Sequence, residues 1–334
     1  MQNLLDPAIL FFVFGIFAGA VRSNLEIPPQ IAKFLSLYLL MALGLKGGFA
    51  LAKSGMTLAI ALSLGAAIFM AFVIPAMGYL FLKNRVSKFD AAALAASYGS
   101  VSAVTFVTAM QYLETAGLAF GGHMAVAMVL MESPAIIMAV VLANTLRLTS
   151  RLHLSSASND DSQTSTNATS NLSVKKILHE SFTDGAHLLL LGAMAVGFIS
   201  GESGKAVMQP FSGDLFKGML SFFLLDMGLM VARNFQDARK SSPVLVAYAA
   251  LGPVVHAGLA LALAWVLQLP VADAALLMVL SASASYIVVP AVLRYAIPEA
   301  NPSLYFGLSL GVTFPLNILF GIPAYVALAH GMLI

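Results

Sequence analysis

Two short stretches concentrate hydroxyl groups in an otherwise apolar chain: Ser97–Thr105, reading SYGSVSAVT, and Ser281–Pro290, reading SASASYIVVP. Each interrupts a segment apolar enough to cross a bilayer. Backbone that is not helical survives at that depth only around a protein-lined cavity. Ser, Gly and β-branched residues weaken the helix in the first stretch, and Pro290 is expected to do so in the second. A helix broken there begins its second half with unpaired N–H groups and a positive dipole end, an anion site that needs no arginine. The first half ends in unpaired carbonyls, which together with Ser and Thr oxygens suit a small hard cation such as Na⁺. The residues expected to carry this chemistry are Ser97, Ser100, Ser102, Thr105, Ser283 and Ser285. The competing reading is that each Ser bonds back to the carbonyl four residues earlier and simply packs small.

Ionisable groups inside a membrane are costly and mark function by default. Here they are Lys46, Glu132 and Asp226, with Asp90 and Asp273 near helix starts. Glu132, two residues before Pro134, is the strongest candidate, to hold Na⁺ or carry a proton; the alternative is a structural ion pair with Lys46. Asp90 and Asp273 each precede a run of Ala and Leu and read as N-caps. His256, beside Pro253, reads as a packing residue.

The elements that must position these residues follow from composition. The 334 residues are 60% hydrophobic and 10% charged, with no cysteine, and mean hydropathy is +0.90. Soluble domains carry about 25% charged residues, so this is an all-α polytopic membrane protein. Disulfides and thiolate metal sites are excluded, and a net charge of +2 argues against nucleic acid as a partner. At about 20 residues per crossing, the pattern predicts ten spans. A Ser/Thr/Asn/Asp-rich segment, residues 149–178, reads as a flexible linker between halves 1–148 and 179–334. With both termini outside, thirteen Lys and Arg fall on the inner loops and only Lys53, Lys205 and Lys217 on the outer ones, which makes the linker cytoplasmic.

The halves repeat each other. Asp90-Ala-Ala-Ala-Leu matches Asp273-Ala-Ala-Leu-Leu, placing Ser100 on Ser283 and Ser102 on Ser285. Pro134 falls on Pro315 and Glu132 on Thr313, which adds Thr313 to the candidate cation ligands beside Ser97, Ser102, Glu132 and Ser283. Five spans per half is odd, so the repeat is inverted, and its broken helices in spans 4 and 9 should meet at a site on the repeat interface near the midplane.

The run LEIPPQIAKFLSLYLLMALGLKGG (Leu25–Gly48), the Ser-rich cores of spans 4 and 9, and AIPEANPSLYFG (Ala296–Gly307) closely resemble the SbtA-type sodium-dependent bicarbonate transporters. The resemblance covers nearly the whole chain. It implies a 5+5 inverted repeat related to the bile-acid-sodium symporters, with spans 3–5 and 8–10 as a core domain and spans 1, 2, 6 and 7 as a gate domain. It further implies a homotrimer in the bacterial inner membrane, bicarbonate uptake with Na⁺, and a PII-like cytoplasmic regulator in some members. Carried over residue by residue, it widens the anion site to Gly99, Ala103, Val104 and Tyr286. In span 4, Gly99, Val101, Ser102 and Thr105 keep the family pattern, while Ala103 and Val104 replace Gly and Ser. In span 9, Tyr286 stands where the family has an acidic residue, and Val288 and Val289 replace Ser and Gly. These changes remove cation ligands and narrow the cavity. A permease for another small carboxylate anion, coupled to H⁺ through Glu132, and a homologue that binds without transporting are the other readings. Gly99-Ser-Val-Ser is not the GxSG pattern of rhomboid-type proteases and the GxGD pattern of presenilin-type ones is absent, so no enzyme is expected.

Overall fold

The computed structural model describes residues 6–55, 57–155, 185–239 and 241–333, and these are helical, with no strand among the described residues. The first half holds α1 (Pro7–Ala20), α2 (Pro29–Ser54), α3 (Leu58–Leu82), α4 (Lys88–Gly99), α5 (Ala103–Thr115) and α6 (Met124–Ser155). The second holds α7 (Gly185–Gln209), α8 (Phe216–Arg239), α9 (Pro243–Val266), α10 (Val271–Ala282), α11 (Val288–Ala296) and a last helical run, α12 (Pro302–Leu333). Seven stretches are long and apolar enough to cross a membrane. One of them, Leu188–Phe235, is 48 residues long and takes in most of both α7 and α8. A backbone break at Gly201 (φ 55°) and a π turn at Pro210–Asp214 interrupt it. At 1.5 Å per residue, a straight helix of that length would run to about 70 Å, over twice the hydrocarbon thickness. Two shorter apolar helices, α1 and α10, complete the set. Helix α6 continues to Ser155, into the segment read as linker; the rest of that segment lies outside the described residues.

Glycines bring two helix pairs into backbone contact. α1 lies against α8, where a Cβ on Gly15 would sit 2.3 Å from the Leu225 carbonyl and one on Gly228 would sit 2.2 Å from that of Phe12. α2 lies against α7 in the same way, through Gly44, Gly48 and Gly197. This is the close approach that small residues permit where apolar burial gives helices no reason to associate. α3, α4 and α6 pack together, as do α10 with α9 and with α12.

Two carboxylates fasten the halves to each other. Asp90 accepts the Asn301 N–H at 2.7 Å, and Asp273 accepts the Gly121 N–H at 2.7 Å. Neither is the N-cap expected from sequence. Ser87 caps α4, its hydroxyl accepting the Asp90 N–H and donating to the Asp90 carboxylate. Pro270 occupies the N-cap of α10. Both acids instead stand in the first helical turn, where the dipole favours negative charge, and face a loop of the opposite half. Near the Asn301 contact, Arg147 on α6 makes a two-pronged ion pair with Glu299.

Candidate functional site

The helix breaks fall in the two hydroxyl-rich stretches and touch each other. α4 ends at Gly99, and Ser100 is its C-cap with extended backbone (φ −96°, ψ 179°). α5 restarts at Ala103, with Ser102 as N-cap accepting the Thr105 N–H at 3.2 Å. In the second half α10 ends at Ala282, Ser283 is its C-cap, and α11 restarts at Val288. The Ser285 hydroxyl accepts the Val289 N–H at 3.3 Å. Ser102 and Ser285, matched by the sequence repeat, thus each bond to the first turn of the restarted helix. Pro290 is not the breaker. It stands in the first turn of α11, where a missing N–H goes unused; the break lies at 283–287.

Cross-bonds join the breaks. The Ser97 hydroxyl donates to the Ser285 carbonyl at 2.6 Å, and the Ser285 N–H donates to the Ser97 carbonyl at 2.8 Å. The Ser102 N–H donates to the Ser283 hydroxyl at 3.0 Å, which itself donates to the Leu280 carbonyl. All four serines are buried. The backbone groups released by the breaks are therefore partly satisfied between the two halves, as non-helical chain at this depth requires.

A cavity of about 80 Å³ opens beside these bonds. A single water needs only about 10–15 Å³ measured this way, so the space fits an ion of a few atoms. Val101, Ser102, Ala103 and Val104 line it from the first break, and Ser285, Tyr286, Ile287 and Val288 from the second. Ser36 and Leu40 of α2 and Met128 and Glu132 of α6 close it. The first-turn amides of Ala103 and Val104 have no carbonyl four residues back within their helix. Glu132 is buried at the same wall.

Five residues expected at the anion site thus line the cavity: Ser102, Ala103, Val104, Ser285 and Tyr286. Gly99, Ser100, Thr105 and Ser283 are buried nearby but outside its wall. Gly99 answers to packing: a Cβ there would lie 2.5 Å from the ring of Pro75 on α3. The buried Ser100 hydroxyl has no hydrogen-bond partner among the described residues. Of the expected cation ligands, Ser97, Ser102 and Ser283 sit in the cross-bonded cluster and Glu132 lines the cavity. Thr313 does not join them. Its hydroxyl donates to the Ala249 carbonyl at 2.7 Å and pairs with the Tyr98 hydroxyl at 2.8 Å. Tyr286 is buried, edge-on to Phe314 at 5.1 Å, with its hydroxyl 3.7 Å from the Met227 sulfur and within reach of the Ser102 side chain.

Lys46 does not pair with Glu132. Its ammonium lies 2.9 and 3.0 Å from the two carboxylate oxygens of Glu114, at the end of α5, and 4.1 Å above the Phe216 ring. Sequence reading passed over Glu114. The available signal was a carboxylate in the last turn of a helix, where the dipole disfavours it unless a cation is near.

Composition and seven helical stretches long and apolar enough to cross a bilayer define a polytopic membrane protein. Over residues 7–330 the chain matches the family model of the Na⁺-dependent bicarbonate transporter superfamily, and it belongs to that superfamily. No curated protein matches it.

Proposed function

We propose that this protein is a secondary active transporter that imports a small anion, bicarbonate first, with Na⁺ as the coupling ion. The observation that carries the reading is the 80 Å³ cavity in which restarted helices α5 and α11 meet the carboxylate of Glu132. The N-terminal amides of α5 and the positive ends of both dipoles favour an anion. The nearby carboxylate opposes one at short range. A cation, or a proton on Glu132, removes that opposition, so anion and cation bind best together. Such mutual dependence is what cotransport requires, and superfamily membership supports it. Among the described residues no cluster of three His, Cys, Asp or Glu offers a multivalent metal site. Na⁺ would be held by hydroxyls, carbonyls and the one carboxylate.

The architecture that goes with this reading has ten crossings as a 5+5 inverted repeat. α1, α2, α3, α4–α5 and α6 form one half, and α7, α8, α9, α10–α11 and α12 the other. α3–α6 and α9–α12 make a core that moves against a gate of α1, α2, α7 and α8. The positive-inside bias favours external termini and a cytoplasmic linker. The family resemblance adds a homotrimer and a PII-like regulator. Reconstituted protein should accumulate labelled bicarbonate only when a Na⁺ gradient is imposed. Accumulation driven by a pH gradient without Na⁺ would transfer the coupling to a proton on Glu132, and no accumulation with either gradient would reject the bicarbonate assignment.

A further inference from the structure

Four lysines, Lys46, Lys53, Lys205 and Lys217, line one vestibule of about 890 Å³ between α2, α7, α8 and the chain following α5. The orientation proposed above, on which this inference rests, puts thirteen of the seventeen basic residues inside. These four are the remainder, and they share a single opening. Glu114, Glu202 and Asp214 stand among them, leaving the wall with one positive charge in excess. An opening lined by one sign of excess charge concentrates ions of the other.

Of the two vestibule lysines on α2, Lys46 is the nearer to the central cavity. Six residues separate it from Leu40 in the cavity wall, about 9 Å of helix. Its ammonium holds both oxygens of the Glu114 carboxylate at hydrogen-bond distance while its side chain keeps 20% exposure. Lys46 therefore already accommodates a planar two-oxygen anion on a face open to the vestibule. Glu114 holds that place weakly. It stands in the last turn of α5, against the negative end of the dipole, and its side chain is 34% exposed. Phe216 lies beneath the ammonium, its ring centroid 4.1 Å away.

We propose that Lys46 is an anion-capture residue on the access path. A small planar oxyanion of the carboxylate or bicarbonate type, drawn into the vestibule, takes the place of Glu114 on the ammonium and passes from there to the cavity at the helix breaks. The pair is an exchangeable mimic of the bound anion. A pair that only fastens α2 to α5 behaves differently, because removing either partner then has the same consequence.

The test uses purified full-length protein in detergent and measures the bicarbonate concentration giving half-maximal thermal stabilisation, with NaCl holding ionic strength constant. Glu114→Gln frees Lys46 and should lower that concentration about three- to tenfold; Lys46→Gln should raise it by a similar factor, and Lys46→Arg should stay near wild type. If both neutral substitutions shift it in the same direction, or neither shifts it, the proposal is overturned. Where Lys46→Gln fails to fold, Glu114→Gln alone decides, since capture demands a fall. The transport reading fails by a different measurement, absence of gradient-driven accumulation in liposomes, which leaves this binding result standing.

Discussion

Ser97 and Ser285 show how two serines in one hydrogen-bonded cluster separate into different roles. Ser97 holds the second break from both its hydroxyl and its backbone, yet it does not line the cavity. Ser285 lines the cavity, and its hydroxyl only accepts a long bond from Val289. Ser97→Ala leaves the buried Ser285 carbonyl short of a donor, a cost of about 1–3 kcal/mol. Ser285→Ala removes a cap-like contact, about 0.5–2 kcal/mol, with the backbone bond from the Ser285 N–H to the Ser97 carbonyl retained. The expected outcome is a crossover: Ser97→Ala lowers the melting temperature more, and Ser285→Ala raises the half-saturating substrate concentration more. Thermal unfolding together with uptake kinetics on both variants checks it, and equal effects on both quantities would remove the distinction.

At the scale of elements, glycine governs where helices meet. A Cβ on Gly48 would lie 2.1 Å from the Met194 carbonyl, so any side chain there separates α2 from α7. Gly65 on α3 faces open space. Gly48→Leu should destabilise the protein by about 1–3 kcal/mol or more, and Gly65→Leu should be nearly silent. Yields of monodisperse protein and melting temperatures measured side by side decide this. Gly15 and Gly19 on α1 form a small-xxx-small pair that the sequence itself displays, because a four-residue spacing is local. The helix breaks were legible for the same reason: Ser-rich composition weakens a helix wherever it occurs. Pairings were not. Lys46 and Glu114 are 68 residues apart, and nothing local to Lys46 separates Glu114 from Glu132 as its partner. Asp90 and Asp273 have the composition of caps, but their carboxylates are engaged by loops about 211 and 152 residues away. Thr313 matches Glu132 by register, yet π turns at Ser309–Thr313 and Asn317–Gly321 shift the register of α12 around it. Repeats preserve the order of residues better than the direction of individual side chains.

For the whole molecule, the contacts between the proposed gate and core are of a kind that can slide. Phe12 meets Phe314 edge-on at 5.5 Å, and the Tyr286 hydroxyl meets the Met227 sulfur at 3.7 Å. Neither fixes a register as a backbone ladder would, and Lys46–Glu114 is a partly exposed ion pair of small net strength. Within the gate, glycine-mediated backbone contact runs along two whole helix pairs, whereas across the boundary Gly47 of α2 meets Gly122, ahead of α6, at a single point among the described glycines. A stiff gate on a weakly attached core suits rigid-body displacement better than local rearrangement. Leu40 on α2 and Val104 on α5 face one cavity from the two sides of that boundary. Because the chain has no cysteine, Leu40→Cys with Val104→Cys gives a clean pair for a short, reducible bifunctional thiol reagent. Bridging the pair should abolish uptake, reductant should restore it, and each single variant treated alike should lose less than the bridged pair. Full transport by quantitatively bridged protein would mean that α2 and α5 keep their spacing throughout the cycle, and displacement of the core against this gate would have to be abandoned.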